Sequence, residues 1–575
     1  MTPFLCRRAR LAATFALLLM VPGCTSAGGA AEPPGLMAMA RGLGADAVRH
    51  LIRGYVPGTS GEIALVPEPW NVVAQWTGGL RGAFDPRTTH ATPWSYHQRV
   101  PLILYGPGFV RSAVRPSTPV DLADLAPTYA ELLGFEGFDA PDGRVLREAL
   151  IPGSERPDPP AVIVTVVYDG GGWNVLERWP DAWPVQRGLA LEGTTYTNAT
   201  LGSSPSITAP VHSTIGTGAY PRTHGIPENT ARLPDGTLGD VYLDTADPAL
   251  MRVDSLADQW DRSVDNRAWV GMLSYESWHL GMLGRGARAP GGDRDVAVLW
   301  DTDREDFWTN EEVYRLSEDL PGPGALQARV DELDAVDGAR DGAWGDVPLE
   351  EDAYWYTGTP AFVAHQAEAV LEMLRQEPIG EDAVTDLLFV EMKAGDIAGH
   401  VWNMVGPEVS QVFAAQDELL LGPLVETLDR EVGRGRYVLA ITGDHGQTPT
   451  PESVGGLRVD RFRLEADVNE SFGAPVVESA HPSELYLDRD VLRREGISVE
   501  DVARFVAGYR YGDGLPEGVD PGSVPEELRR RSLFAAVLPG DFLLELGEEE
   551  VNALGPGRYL QGDLTSAQPL DSLEG

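Results

Sequence analysis

Ala161-Val-Ile-Val-Thr-Val-Val-Tyr168 is an unbroken apolar, β-branched run that ends on Asp169-Gly-Gly-Gly172. A run this short, bounded by glycines and without polar alternation, reads as a strand buried on both faces of a parallel sheet. Val100–Tyr105, Asp386–Met392 and Tyr437–Thr442 share its character. Helical patterns such as Leu122–Leu133, Phe362–Arg375 and Gln411–Val432 separate these runs. The alternation predicts an α/β fold, a mostly parallel sheet between helical layers, with an α+β subdomain. In open sheets of this kind ligands bind beyond the carboxyl ends of the strands. That rule gathers Asp169, Lys393 to Asp396, and Asp444-His445 in one place, although hundreds of positions separate them.

The chain has 575 residues, 43% of them hydrophobic, enough for one large catalytic domain with excursions. Residues 1–24 carry a basic start, an apolar stretch from Leu11 to Val21 and a small-residue end, the three parts of an export signal. Val21-Pro22-Gly23-Cys24 resembles a bacterial lipobox, which implies a periplasmic or cell-surface protein lipid-anchored through Cys24; the proline departs from the usual pattern. Residues 25–50 read as a tether and lead-in segment. The rest divides into a core part at 51–150, a proline-rich linker at 151–160, the main core at 161–453 and the subdomain at 454–575. In that last part Glu484–Leu487 and Asp541–Leu546 read as strands and Val499–Tyr509 as a helix. Gly61–Pro67 and Gly540–Leu546 also read as similar short strands.

Cys6 and Cys24 are the only cysteines. A body without thiols or disulfides must hold any metal through oxygen and imidazole. The net charge of −42 disfavours polyanionic nucleic acid and anionic lipid surfaces as partners. A small phosphate ester would need local cations to draw it in.

Several segments carry chemistry. Asp169 before three glycines is, taken alone, more often a turn or helix-cap residue than a ligand, although the glycines would let a metal approach its carboxylate. Asp396-Ile-Ala-Gly-His400 sets a carboxylate and an imidazole four apart, on one helical face; a capped helix start with a surface histidine explains the pattern equally well. Asp444-His445 between glycines at a strand end is more pointed, because it can aim both side chains at a metal. In Ser206-Ile-Thr-Ala-Pro-Val-His212 and the residues that follow, many hydroxyls must be caps. One of them attacks at neutral pH only if a base or metal ionises it.

Together, Asp169, Thr208 with Ala-Pro behind it, Tyr220-Pro-Arg-Thr-His-Gly-Ile226, Asp396-x-x-x-His400 and Asp444-His445-Gly446 resemble the type I phosphodiesterase and nucleotide pyrophosphatase branch of the alkaline phosphatase superfamily. The match runs in order from about Ala161 to Thr450. The resemblance implies two Zn2+ ions. Asp169, Thr208, Asp444 and His445 would hold one, with Thr208 as nucleophile; Asp396, His400 and a third histidine would hold the other. Asn229 falls where the family has a donor to a phosphoryl oxygen, although a turn role explains it too. His212 and His224 read as loop-structuring residues.

The family's third histidine sits late in the chain, before an apolar strand ending in Gly-Pro-Gly. Here the similar context comes early: Thr89-His90-Ala-Thr-Pro-Trp-Ser-Tyr96, Val100-Pro-Leu-Ile-Leu-Tyr-Gly-Pro-Gly108, Asp121–Gly134 and Asp142–Leu146. This order implies a circular permutation, with His90 as the sixth ligand; His481 is the rival, late in the chain but lacking the turn context. Family phosphomonoesterases carry a lysine and an arginine two apart against the monoester charge. Ser274-Tyr-Glu-Ser-Trp-His279 stands in that place without them, although Arg285 or Arg288 could reach in. The expected activity is therefore a phosphodiesterase or nucleotide pyrophosphatase. An alkaline phosphomonoesterase is the alternative, and a non-catalytic binding lipoprotein a further one.

Overall fold

The computed structural model describes residues 34–557 apart from 75–87, 140–141, 337, 339, 345–346, 350–355 and 516–519. The export signal, Cys24 and residues 25–33 of the expected tether lie outside the described residues. No described helix is long and apolar enough to cross a membrane.

A nine-stranded sheet organises the core. In spatial order its strands are Asp306–Trp308, Val296–Asp301, Val270–Leu273, Asp386–Met392, Val162–Tyr168, Tyr437–Gly443, Arg99–Tyr105, Thr194–Thr200 and Val120–Asp121. Val162–Tyr168 lies at the centre, parallel to both neighbours, with Val162 level with Asp386 on one side and Tyr437 on the other. Its side chains divide between two cores. Val162, Val164, Val166 and Tyr168 face a cluster with Trp183, Phe362 and Leu424, whereas Ile163 and Val167 face one with Tyr129, Ile215 and Leu256. Successive residues of a strand point to opposite faces, so covering both faces with helices demands an unbroken apolar run.

Three expectations need correction. Arg99–Tyr105 joins the sheet antiparallel to Tyr437–Gly443, with Leu104 opposite Ala440, not parallel. It too is covered on both faces, Leu102 and Leu104 facing one core and Ile103 the other, so its composition is blind to direction. Asp541–Leu546 is not a strand. The preceding strand, Phe534–Pro539, ends on a proline, and Gly540–Glu545 turns into a short helix that buries Leu543. The echo with Gly61–Pro67 therefore disappears, since Ile63–Pro67 is a strand.

The third correction concerns the opening segment. From Leu36 the expected tether is two helices, Leu36–Leu43 and Ala45–Gly54, which bury Met39, Leu43, Val48 and Leu51. Ile63–Pro67 pairs antiparallel with Glu484–Leu487 and Phe534–Pro539 in a second, four-stranded sheet. Residues 36–74 thus pack largely with the late part of the chain, and meet the later part of the segment expected at 51–150 through Trp94 and Tyr96. Short apolar strands reveal a buried face but not which distant strand will share it.

Candidate metal centre and active site

At the carboxyl ends of the central strands the backbone turns sharply and delivers the polar groups. Asp169 follows Val162–Tyr168, and Gly170, at φ +69°, donates its N–H to Asp444 Oδ1 at 2.9 Å. Asp444 and His445 follow Tyr437–Gly443, and Gly446 is pressed so closely against Tyr96 that a Cβ would lie 1.9 Å from its carbonyl oxygen. We expect Gly446→Ala to cost about 1–3 kcal/mol through overpacking and to displace His445. Thermal unfolding and metal content of the variant check this. On the helix Ala394–Trp402, Asp396 in the first turn and His400 one turn later share a face, with His400 Nε2 3.3 Å from Asp396 Oδ1.

The six charged or imidazole ligands expected from the sequence converge. His445 Nε2 lies 3.4 Å from Asp169 Oδ1 and 3.3 Å from Asp444 Oδ2, and His90 Nε2 lies 3.6 Å from Asp396 Oδ1. The His90 ring stacks on His445 with centroids 3.6 Å apart and lies 5.2 Å from His400. Two overlapping groups, Asp169-Asp444-His445 and His90-Asp396-His445, have donor atoms close enough together to hold a metal ion.

Three histidines are held by backbone. Nδ1 of His90 bonds to the Ser206 carbonyl at 2.6 Å, that of His400 to the Thr88 carbonyl at 2.7 Å and that of His445 to the Gly446 carbonyl at 3.0 Å. Each Nδ1–H therefore donates outward, which fixes the tautomer and leaves Nε2 facing the cluster with a lone pair. Asp169 Oδ1, Asp396 Oδ1, Asp444 Oδ2 and His445 Nε2 are buried without a hydrogen-bond partner. Orphaned buried acceptors are costly unless something else satisfies them, and acceptors are all that these atoms offer. Burial, with Asp169 beside it, pushes the Asp444 carboxyl well above its ordinary range. Burial opposes ionisation of Asp396 too, but His400 and Lys393 outweigh it and hold that carboxyl well below its range. The cluster is short of positive charge, and its oxygen and imidazole donors suit a metal ion.

Thr208 opens the helix Thr208–Thr217 and is 1% exposed. The residues around it tie it to the cluster: Ser206 supplies the carbonyl for His90, and His212 Nδ1 lies 3.9 Å from Asp444 Oδ2 while bonding to the Thr208 carbonyl at 2.8 Å. Asn229 Oδ1 accepts the Ala209 N–H at 2.9 Å, which sets its amide beside the start of this helix. His224 is buried in its own loop against Thr214 and Ile226. His481 is absent from the cluster; its Nδ1 bonds to Glu228 Oε2 at 2.6 Å. Arg285 and Arg288 do not reach in either, since Asp254 and Asp247 hold them at 3.0 Å and 2.6 Å.

Sequence reasoning gathered Lys393 at the strand ends without a role for it, and gave none to buried His279 or Glu391. Lys393 Nζ lies 2.8 Å from Asp169 Oδ2 and 2.7 Å from Asp396 Oδ2. His279 Nε2 lies 3.4 Å from Asp169 Oδ2 and 3.5 Å from Glu391 Oε2. Glu391 was the readable signal, a carboxylate inside the otherwise apolar run Leu387–Met392 that needs a buried partner.

The family model described as type I phosphodiesterase / nucleotide pyrophosphatase matches residues 163–533. Among curated proteins, the chain is 23% identical over 404 residues to alkaline phosphatase PafA of Elizabethkingia meningoseptica, covering 60% of this chain and 72% of that one. It is also 23% identical to alkaline phosphatase PhoV of Synechococcus elongatus, covering 69% and 82%. A protein of Myroides odoratus named calcium-transporting ATPase is similar at 23% identity, covering 66% and 79%. The crystal structure of wild-type PafA superimposes with a TM-score of 0.46 at 18% identity, over 67% of this chain and 85% of that one. With the family model spanning well over half of its length, the chain belongs to the type I phosphodiesterase / nucleotide pyrophosphatase family of the alkaline phosphatase superfamily, and is a phosphoric ester hydrolase.

Proposed function

We propose that this hydrolase cleaves phosphodiesters or nucleotide pyrophosphates through Thr208, with two zinc ions held by the converged cluster. The observation that carries the reading is the set of unpartnered inward acceptors, Asp169 Oδ1, Asp396 Oδ1, Asp444 Oδ2 and His445 Nε2, beside carbonyl-anchored imidazoles. Asp169, Asp444, His445 and Thr208 would hold one ion, and Asp396, His400 and His90 the other. Such a pair of ions would favour ionisation of a coordinated hydroxyl and offset charge on the phosphoryl and leaving oxygens. Thr208 Oγ1, its proton released to solvent, attacks phosphorus, the ester oxygen departs with the bonding pair and takes up a proton from solvent, and water then cleaves the phosphothreonine, returning a proton to Oγ1. Asn229, fixed through its Oδ1, turns its amide N–H groups toward the phosphoryl oxygens.

The same reading treats residues 88–150 as a permuted part of the core, joined to the central strand through residues 151–160. Its support is that His90 and the strand Arg99–Tyr105 come from this part and meet Asp396 and Tyr437–Gly443. Residues 1–24 are proposed to export the protein and, through Cys24, to anchor it.

The diester preference rests on charge. Ser274–His279 brings a histidine rather than a cationic pair to the cluster, and nearby acids occupy Arg285 and Arg288. A monoester reading is favoured by the names of PafA and PhoV, both alkaline phosphatases. Comparing kcat/KM for bis-p-nitrophenyl phosphate and p-nitrophenyl phosphate with the zinc-loaded enzyme decides between them. We expect the diester to be preferred by at least about tenfold, the equivalent of roughly 1.4 kcal/mol. A monoester preference would overturn the assignment, and no turnover of either would favour a binding protein.

A further inference from the structure

Lys393 is the only lysine in the chain; every other basic residue among the 45 lysines and arginines is arginine. This single ammonium is buried, with a side chain 6% exposed, between carboxylates that are themselves 0% and 3% exposed. It contacts Asp169 Oδ2 and Asp396 Oδ2, one carboxylate from each of the two metal-binding groups. The other oxygen of each, Oδ1, has no hydrogen-bond partner and faces imidazole nitrogen: His445 for Asp169, His400 and His90 for Asp396. Each carboxylate is thus divided between an oxygen turned to Lys393 and an oxygen turned to the cluster. On the far side His279 meets Asp169 Oδ2 and Glu391, and Glu391 accepts the Tyr275 N–H at 2.9 Å, so the outer oxygens sit in a closed polar layer.

Arginine would not substitute here. Its guanidinium is a planar fork suited to one carboxylate in bidentate contact, whereas the lysine ammonium is a compact point charge whose three donors can serve two carboxylates at an angle. A chain that uses arginine at every other basic position keeps lysine where the space lies between two acids.

We propose that Lys393 is a positioning residue: by holding the outer oxygen of Asp169 and of Asp396, it leaves each carboxylate one oxygen for a metal and fixes the spacing of the two halves of the site. The inference rests on the two-metal reading above. Supporting partners of metal ligands orient those ligands in this way, and their loss is felt in activity even when the ligands remain.

Because the lysine is single, feeding ε-13C-lysine should give one side-chain NMR signal in the full-length protein. In the wild type this signal should move on addition of Zn2+ and stop moving at two equivalents. Lys393→Met should still bind two ions per chain by metal analysis. Its Co2+-loaded form should have weaker visible absorption, because the released outer oxygens add to the coordination of the metal. We expect kcat to fall about 10–100-fold, with a much smaller change in KM. Should the methionine variant not fold, Lys393→Gln, which keeps two N–H donors without the charge, is expected to shift both readouts the same way by less. A wild type that binds no stoichiometric metal overturns the two-metal reading itself. A wild type with two ions, alongside a Lys393 variant with unchanged cobalt absorption and kcat, overturns the role of Lys393 alone.

Discussion

Thr208→Ala should lower turnover of the preferred ester by on the order of 10³-fold or more, while the bound metal stays near the wild-type amount. The expectation comes from how the hydroxyls of this loop are used. Ser206 Oγ donates to the Thr92 carbonyl, Ser213 Oγ to Ala209, Thr214 Oγ1 to Pro210 and Thr217 Oγ1 to Ser213. These are structural bonds between side chain and backbone, and each occupies the donor that an attacking hydroxyl would have to surrender. The Thr208 hydroxyl makes no hydrogen bond among the described residues, and it stands where Ser206 and His212 on either side reach His90 and Asp444 of the carboxylate and imidazole cluster. Metal analysis and turnover measured on the same preparation check this. Wild-type activity in the alanine variant would move the nucleophile to another group and end the phosphothreonine route.

His90→Ala should remove one of two bound metal ions and lower activity by more than the roughly 10–100-fold that loss of a mere supporting partner costs. His481→Ala should keep both ions. The difference lies in where each ring is tied. The Nδ1 of His90 is held by a backbone carbonyl and its Nε2 points at Asp396, whereas His481 spends its Nδ1 on Glu228, with Ser483 donating to the other carboxylate oxygen. Metal content per chain for the two variants is the check. Retention of both ions in His90→Ala would defeat the assignment and, with it, the case for a permuted core.

Some features were legible because the sequence states them locally. A strand covered on both faces must be apolar at every position, so the run from Ala161 announces itself. Glycines beside Asp169 and Asp444-His445 mark the sharp turns, and Asp396 and His400 share a face because a helix returns after about four residues. Other features were not legible. The direction of Arg99–Tyr105 depends on its neighbours, since burial demands the same residues either way. The helix Gly540–Glu545 hid inside a short apolar run, where the two periods cannot be told apart. The strand-end rule brought Lys393 near Asp169, but nothing local shows that its ammonium lies between Asp169 and Asp396.

The central run Ala161–Tyr168 and the acid that ends it were thus determined by the sequence alone: backbone polar groups and side-chain burial leave such a segment one stable environment. Tertiary structure decided which distant segments meet at that acid. It brought His90 in from one end of the chain, kept His481 away on Glu228, and set Lys393 between two carboxylates. Those choices depend on charges and orphaned acceptors that exist only once the strands are side by side, when burial makes an unpaired group costly and a well-placed partner decisive.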